Sequence, residues 1–142
     1  MQLGGMYFMD SGHVERFAAV MSDSQWLYED GGVDRYFGTA YYLLTTTAKI
    51  WQKCKNNVHD KGSPEIDFDS ILAHQVFSSA EKSIVLLARE LFKNEDSNEL
   101  SVIKMVNNLD KYLLNCCLYA LAYFKNGMNI STIKKAASVG SE

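Results

Sequence analysis

Imidazole titrates near neutral pH and ligates metals through either nitrogen, so His13, His59 and His74 are the side chains of this sequence with the broadest chemical reach. None has a second ligand at i+3 or i+4, the spacing by which HExxH and ExxH helices hold a metal. His74 follows Asp69 by five residues, an arrangement that would suit a base oriented by a carboxylate; a partly buried packing histidine is the simpler reading. His13, in the first turn of its helix, and His59, in a polar loop, read as solvated. The carboxylate pairs Asp67/Asp69 and Glu29/Asp30 read as caps and turn residues, because two-carboxylate chemistry needs partners that the fold brings together. Gly4-Gly5 and Gly31-Gly32 lack the lysine and the spacing of a phosphate loop.

Cys54, Cys116 and Cys117 form no CxxC motif. The adjacent pair would point about 100° apart on a helix, which disfavours a bridge between them. All three read as small apolar core residues of a reducing compartment. No catalytic, metal-binding or cofactor-binding residue is therefore assigned, and no cofactor is expected. The first residues, Met1-Gln2-Leu3-Gly4-Gly5-Met6, lack the basic and long apolar regions of a signal peptide, so a cytoplasmic location is expected.

The elements that would position any site read as helices. Asp10 or Ser11 caps a helix to about residue 22, with Val14, Phe17, Ala18 and Met21 at i, i+3, i+4 and i+7. A second runs from about Val33 to Thr45, with Tyr36, Phe37, Ala40, Tyr41 and Leu44 on one broad apolar face. Thr45-Thr46-Thr47 is a poor helix interior and a good cap, so a third helix restarts near Thr47 with Ile50, Trp51 and Cys54 inward. The single proline, Pro64, marks an internal loop at about residues 56–66. Asp67 or Asp69 then caps a short helix to about Val76. Ser78-Ser79-Ala80-Glu81 fits a capping box opening a helix to about Lys93. Ser97 caps a helix with Leu100, Ile103 and Val106, and the tail frays after about residue 138. No strand-like alternation is sustained.

Residues 112 to 124 contain one fully polar side chain, Asn115. A helix apolar all round must be wrapped by protein or lipid, and this run spans only about 20 Å, against about 30 Å of bilayer hydrocarbon. With Asp110 and Gly127 as its caps, it is expected to be the buried central helix (110–126), with Asn115 buried and hydrogen-bonded. The fold class is all-α: one domain over residues 1–142, a bundle of about six to seven helices.

Aromatic residues crowd residues 26–42 beside charged ones, the mixture of which interface hot spots are made. Trp26, Tyr28, Glu29, Asp30, Asp34, Arg35 and Tyr42 are the candidate partner-binding residues. Charged residues make up 22% of the chain and the net charge is −3. Acids prevail over residues 1–48 and 65–100, bases over 49–64 and 101–142. Such patches can orient a protein partner or a second copy of the chain, but they are too weak to steer nucleic acid. No membrane association is expected.

The order of Met6-Tyr7-Phe8-Met9-Asp10-Ser11-Gly12-His13, Ala40-Tyr41-Tyr42-Leu43-Leu44, Phe77-Ser78-Ser79-Ala80-Glu81 and Leu86-Leu87-Ala88-Arg89-Glu90-Leu91-Phe92, followed by Leu109-Asp110 and Tyr119-Ala120-Leu121, resembles a small uncharacterised helical family of Firmicutes and their phages and prophages. The resemblance covers most of residues 6–124. It implies a phage or prophage context and carries over no catalytic residue. The expected function is a non-enzymatic protein-interaction module that inhibits or modulates a host or bacterial defence protein. Two other readings stay open: a small-molecule or nucleotide-binding sensor or enzyme with a tyrosine-lined pocket near His74, and a structural homo-oligomer such as a homodimer.

Overall fold

The computed structural model describes residues 1–22, 32–58, 65–130 and 133. The architecture is all-α, with seven α-helices and one small ribbon among the described residues. In the ribbon, β1 (Gln2–Leu3) pairs antiparallel with β2 (Met6–Tyr7). Gly4 and Gly5 form its two-residue turn with φ of 57° and 80°, the doubly left-handed geometry that glycine adopts without strain. The ribbon was not expected from the sequence, because its strands are too short to show alternation.

The helices are α1 (Ser11–Ser22), α2 (Arg35–Leu44), α3 (Ala48–Cys54), α4 (Phe68–His74), α5 (Ser79–Lys93), α6 (Val102–Asn108) and α7 (Lys111–Asn126). Most starts are where the side chains can accept orphan amides. Thr47 caps α3 and Asp67 caps α4. In α5 the Ser78 hydroxyl accepts from Glu81 N–H while the Glu81 carboxylate accepts from Ser78 N–H. At its other end Asn94 adopts the left-handed conformation, φ 54°. Ser97 is not a cap: Ser101 begins α6, a helix of about two turns held by Met105 and Leu109, so Ile103 and Val106 lie outside the core. Similarly, α4 stops at His74, short of Val76.

The central helix is α2, not α7. Gly38 to Leu44 are buried without interruption, and α2 packs chiefly against α5 and α7, with α1 and α3 also against it. Seven consecutive buried residues occupy every side of a helix. By contrast α7 buries Cys116, Cys117, Ala120 and Tyr123 and turns its opposite side outward. Asn115 is accordingly half-buried.

Thr45 and Thr46 close α2: the Thr45 hydroxyl donates to Tyr41 O at 2.6 Å and the Thr46 hydroxyl to Leu43 O at 2.7 Å. From α1, His13 Nε2–H donates to Tyr42 O at 2.8 Å, and the Arg16 guanidinium donates to Thr45 O and Thr46 O at 2.9 and 3.1 Å. Two donors three residues apart on one face of α1 thus satisfy carbonyls at the C-terminal end of α2. The ribbon is fixed by tyrosines. Tyr42 OH donates to Tyr7 O at 2.6 Å, and Tyr7 N–H donates to Tyr123 OH at 2.8 Å.

Candidate protein-binding face

Asp110 begins α7 by accepting from the N–H groups of Tyr112 and Leu113, both at 2.9 Å. Gly127, φ 86°, ends it. The inner side of the helix meets α2 and α5. On the outer side Leu118 is 57% exposed, Leu121 45%, Tyr112 50% and Tyr119 36%. Leu114, half-buried, precedes Leu118 and Leu121 by four and seven residues, so the three leucines line one stripe about 10 Å long. Spacing of i, i+4 and i+7 is how a helix anchors in the groove of a partner.

Cations border this stripe. Lys111 and Lys125 are exposed near its two ends, and α7 contains no acid between them. Beside its C-terminal half, the Arg35 guanidinium lies 5.1 Å from the ring centroid of Phe124 and 5.0 Å from that of Tyr36, and donates to Tyr36 OH at 3.0 Å. Arg35 is thus held at the surface with its charge toward solvent.

The residues expected to bind a partner separate into three groups. Trp26, Tyr28, Glu29 and Asp30 lie outside the described residues. Asp34 caps α2, accepting from Tyr36 and Phe37 N–H, and next to it Arg35 borders the α7 face. Tyr42 is fully buried, with its hydroxyl spent on Tyr7, so its place is in the core and not on a binding surface. The exposure of Leu118, Tyr119 and Leu121 was missed because the run containing them was read as wrapped on every side.

The remaining chemical candidates are held apart. Far from being solvated, His13 is fully buried; its Nδ1 accepts from Met9 N–H at 3.1 Å and burial lowers its pKa to about 4. The ring is therefore a neutral structural link. His74 is exposed rather than partly buried, and its Nδ1 lies 2.9 Å from Ser70 O. Asp69, its proposed orienter, faces Arg89 and Lys93 at 3.7 and 3.9 Å. His59 lies outside the described residues. Of the tyrosines expected to line a pocket, Tyr41 and Tyr42 are fully buried, and Tyr41 OH donates to Val58 O at 3.0 Å. Burial pushes the Cys54, Cys116 and Cys117 thiols up to about 12, 11 and 12, which leaves them protonated.

Among the described residues no helix is long and apolar enough to cross a membrane, and no three His, Cys, Asp or Glu side chains gather as ligands for a metal. Comparison of the chain with family models, with curated proteins and with solved structures found no match.

Proposed function

We propose that this chain is a non-enzymatic protein-interaction module whose binding surface is the outer face of α7, and that its partner offers an apolar groove or helix edged with carboxylates. The observation that carries this reading is the exposed pair Leu118 and Leu121, in line with half-buried Leu114 on the outer side of a well-capped helix. Single exposed leucines are ordinary, whereas a stripe rimmed by cations is what interface cores and rims are built from. The cations Lys111, Lys125 and Arg35 set the sign of the partner. They also argue against self-association through this face: in an antiparallel two-fold pairing of α7, Lys111 of one copy would fall against Lys125 of the other. The resemblance to helical proteins of Firmicutes and their phages directs the search to bacterial proteins, and a modulator of a host or defence protein is the role that fits.

A photo-crosslinking residue at position 118, compared with one at exposed Gln52 on α3, tests the reading in bacterial lysate. A cross-linked protein specific to position 118, weakened by salt, is the expected result. Equal cross-linking from both positions would contradict it.

A further inference from the structure

An open cleft of about 650 Å³ lies between α5 and residues 98–108, within the size range of small-molecule sites. The early turns of α5 supply Ser79, Lys82 and Ser83, and α6 with its cap supplies Ser101 and Lys104. We propose that this cleft binds a small phosphate ester that carries free hydroxyls, of the sugar-phosphate or nucleoside-monophosphate class. The inference is independent of the α7 face.

Unfilled donors are the main reason. Lys82 and Lys104 have no carboxylate within 4 Å among the described residues, although Lys53, Arg89 and Lys93 nearby all do. Ser83, only 7% exposed, also lines the cleft. A smaller cavity of about 270 Å³ shares Lys82 and Glu99 with the first and adds Asp69 and Arg89; the Arg89 guanidinium lies 3.7 Å from Asp69, while its buried Nε–H is without a partner among the described residues. In the larger cleft two cations, Lys82 and Lys104, and the Ser83 hydroxyl face the one carboxylate of Glu99, which favours an acceptor-rich, anionic ligand.

The rest of the lining selects an ester over free phosphate. Leu86 and Leu100 offer an apolar wall for a ring, while Asn98 and Glu99 can take hydroxyls. In this arrangement the phosphoryl group sits between Lys82 and Lys104, with Ser83 donating to one of its oxygens.

Calorimetric titration of the full chain with ribose 5-phosphate and with adenosine monophosphate, alongside inorganic phosphate and ribose, tests the assignment. Saturable binding of at least one ester, tighter than that of inorganic phosphate or ribose, is expected. Lys82→Ala with Lys104→Ala should weaken it at least tenfold and Ser83→Ala severalfold; the two lysines are exposed, so unchanged melting confirms that the variant folds. Leu118→Asp with Leu121→Asp should leave the titration unaltered. No saturable binding of either ester at millimolar concentration, equal affinity for inorganic phosphate, or binding that survives loss of both lysines would overturn the proposal.

Discussion

His13 and Tyr42 are joined end to side: the imidazole Nε2–H donates to the Tyr42 carbonyl at 2.8 Å, and the two rings lie 4.9 Å apart in the core. The other nitrogen accepts from Met9 N–H, so a second ring proton has no place to go without breaking that bond. This is the tautomer a neutral ring needs to tie α1 to the end of α2.

The first prediction follows from that bond. Burial holds the folded pKa of His13 at about 4, below the ordinary 6.5 of the unfolded chain. Between those values the unfolded state binds the extra proton, so stability is complete above pH 6.5 and falls as pH drops toward 4. The slope approaches about 1.4 kcal/mol per pH unit. Urea denaturation at intervals from pH 7 to pH 5, above most carboxylate titrations, should show this loss, and His13→Gln should flatten it while lowering stability at pH 7.

The tyrosine clamp on Tyr7 predicts coupling. Tyr42→Phe leaves the Tyr7 carbonyl without its donor, and Tyr123→Phe leaves the Tyr7 N–H without its acceptor. Each should cost about 1–3 kcal/mol. Since both hydroxyls hold one residue, a double-mutant cycle by denaturant unfolding should return a cost for the pair below the sum of the single changes.

Gly38 marks a close approach. A Cβ there would lie 2.3 Å from Val33 Cγ1 and 3.4 Å from Met128 Sδ. Gly38→Ala should destabilise the chain by about 1–3 kcal/mol despite the better helix propensity of alanine. Val33→Ala in the same chain should recover part of the loss, measured as the shift in thermal midpoint.

Local signals in the sequence were more legible than the packing partners. The Ser78–Glu81 capping box, Asp67, Thr47 and the Asp110/Gly127 pair mark helix ends through contacts within a few residues, and those ends stand where they were expected. Which half of α7 is buried depends on what lies across from it, and a run apolar on every side contains no asymmetry to choose by. That is why it was read as the centre of the fold while α2 holds that place. His13 was misread for a different reason: it shares the face of Phe17 and Val20 at i, i+4 and i+7, a periodic signal overridden by its polar type. Of the residues expected to bind a partner, Arg35 stands exposed over the Tyr36 ring, whereas Tyr42 was not separable from exposed tyrosines before its bond to Tyr7 was seen.

The central claim, that the outer face of α7 is a binding surface, is tested most directly by quantitative capture from bacterial lysate with the wild-type chain and the Leu118→Asp, Leu121→Asp variant side by side. Both leucines face solvent, so the variant should keep its thermal midpoint within the small range usual for surface changes. The account predicts a protein retained by the wild type and reduced at least tenfold by the variant. Identical retention by the two chains, or no retention by either, would contradict it.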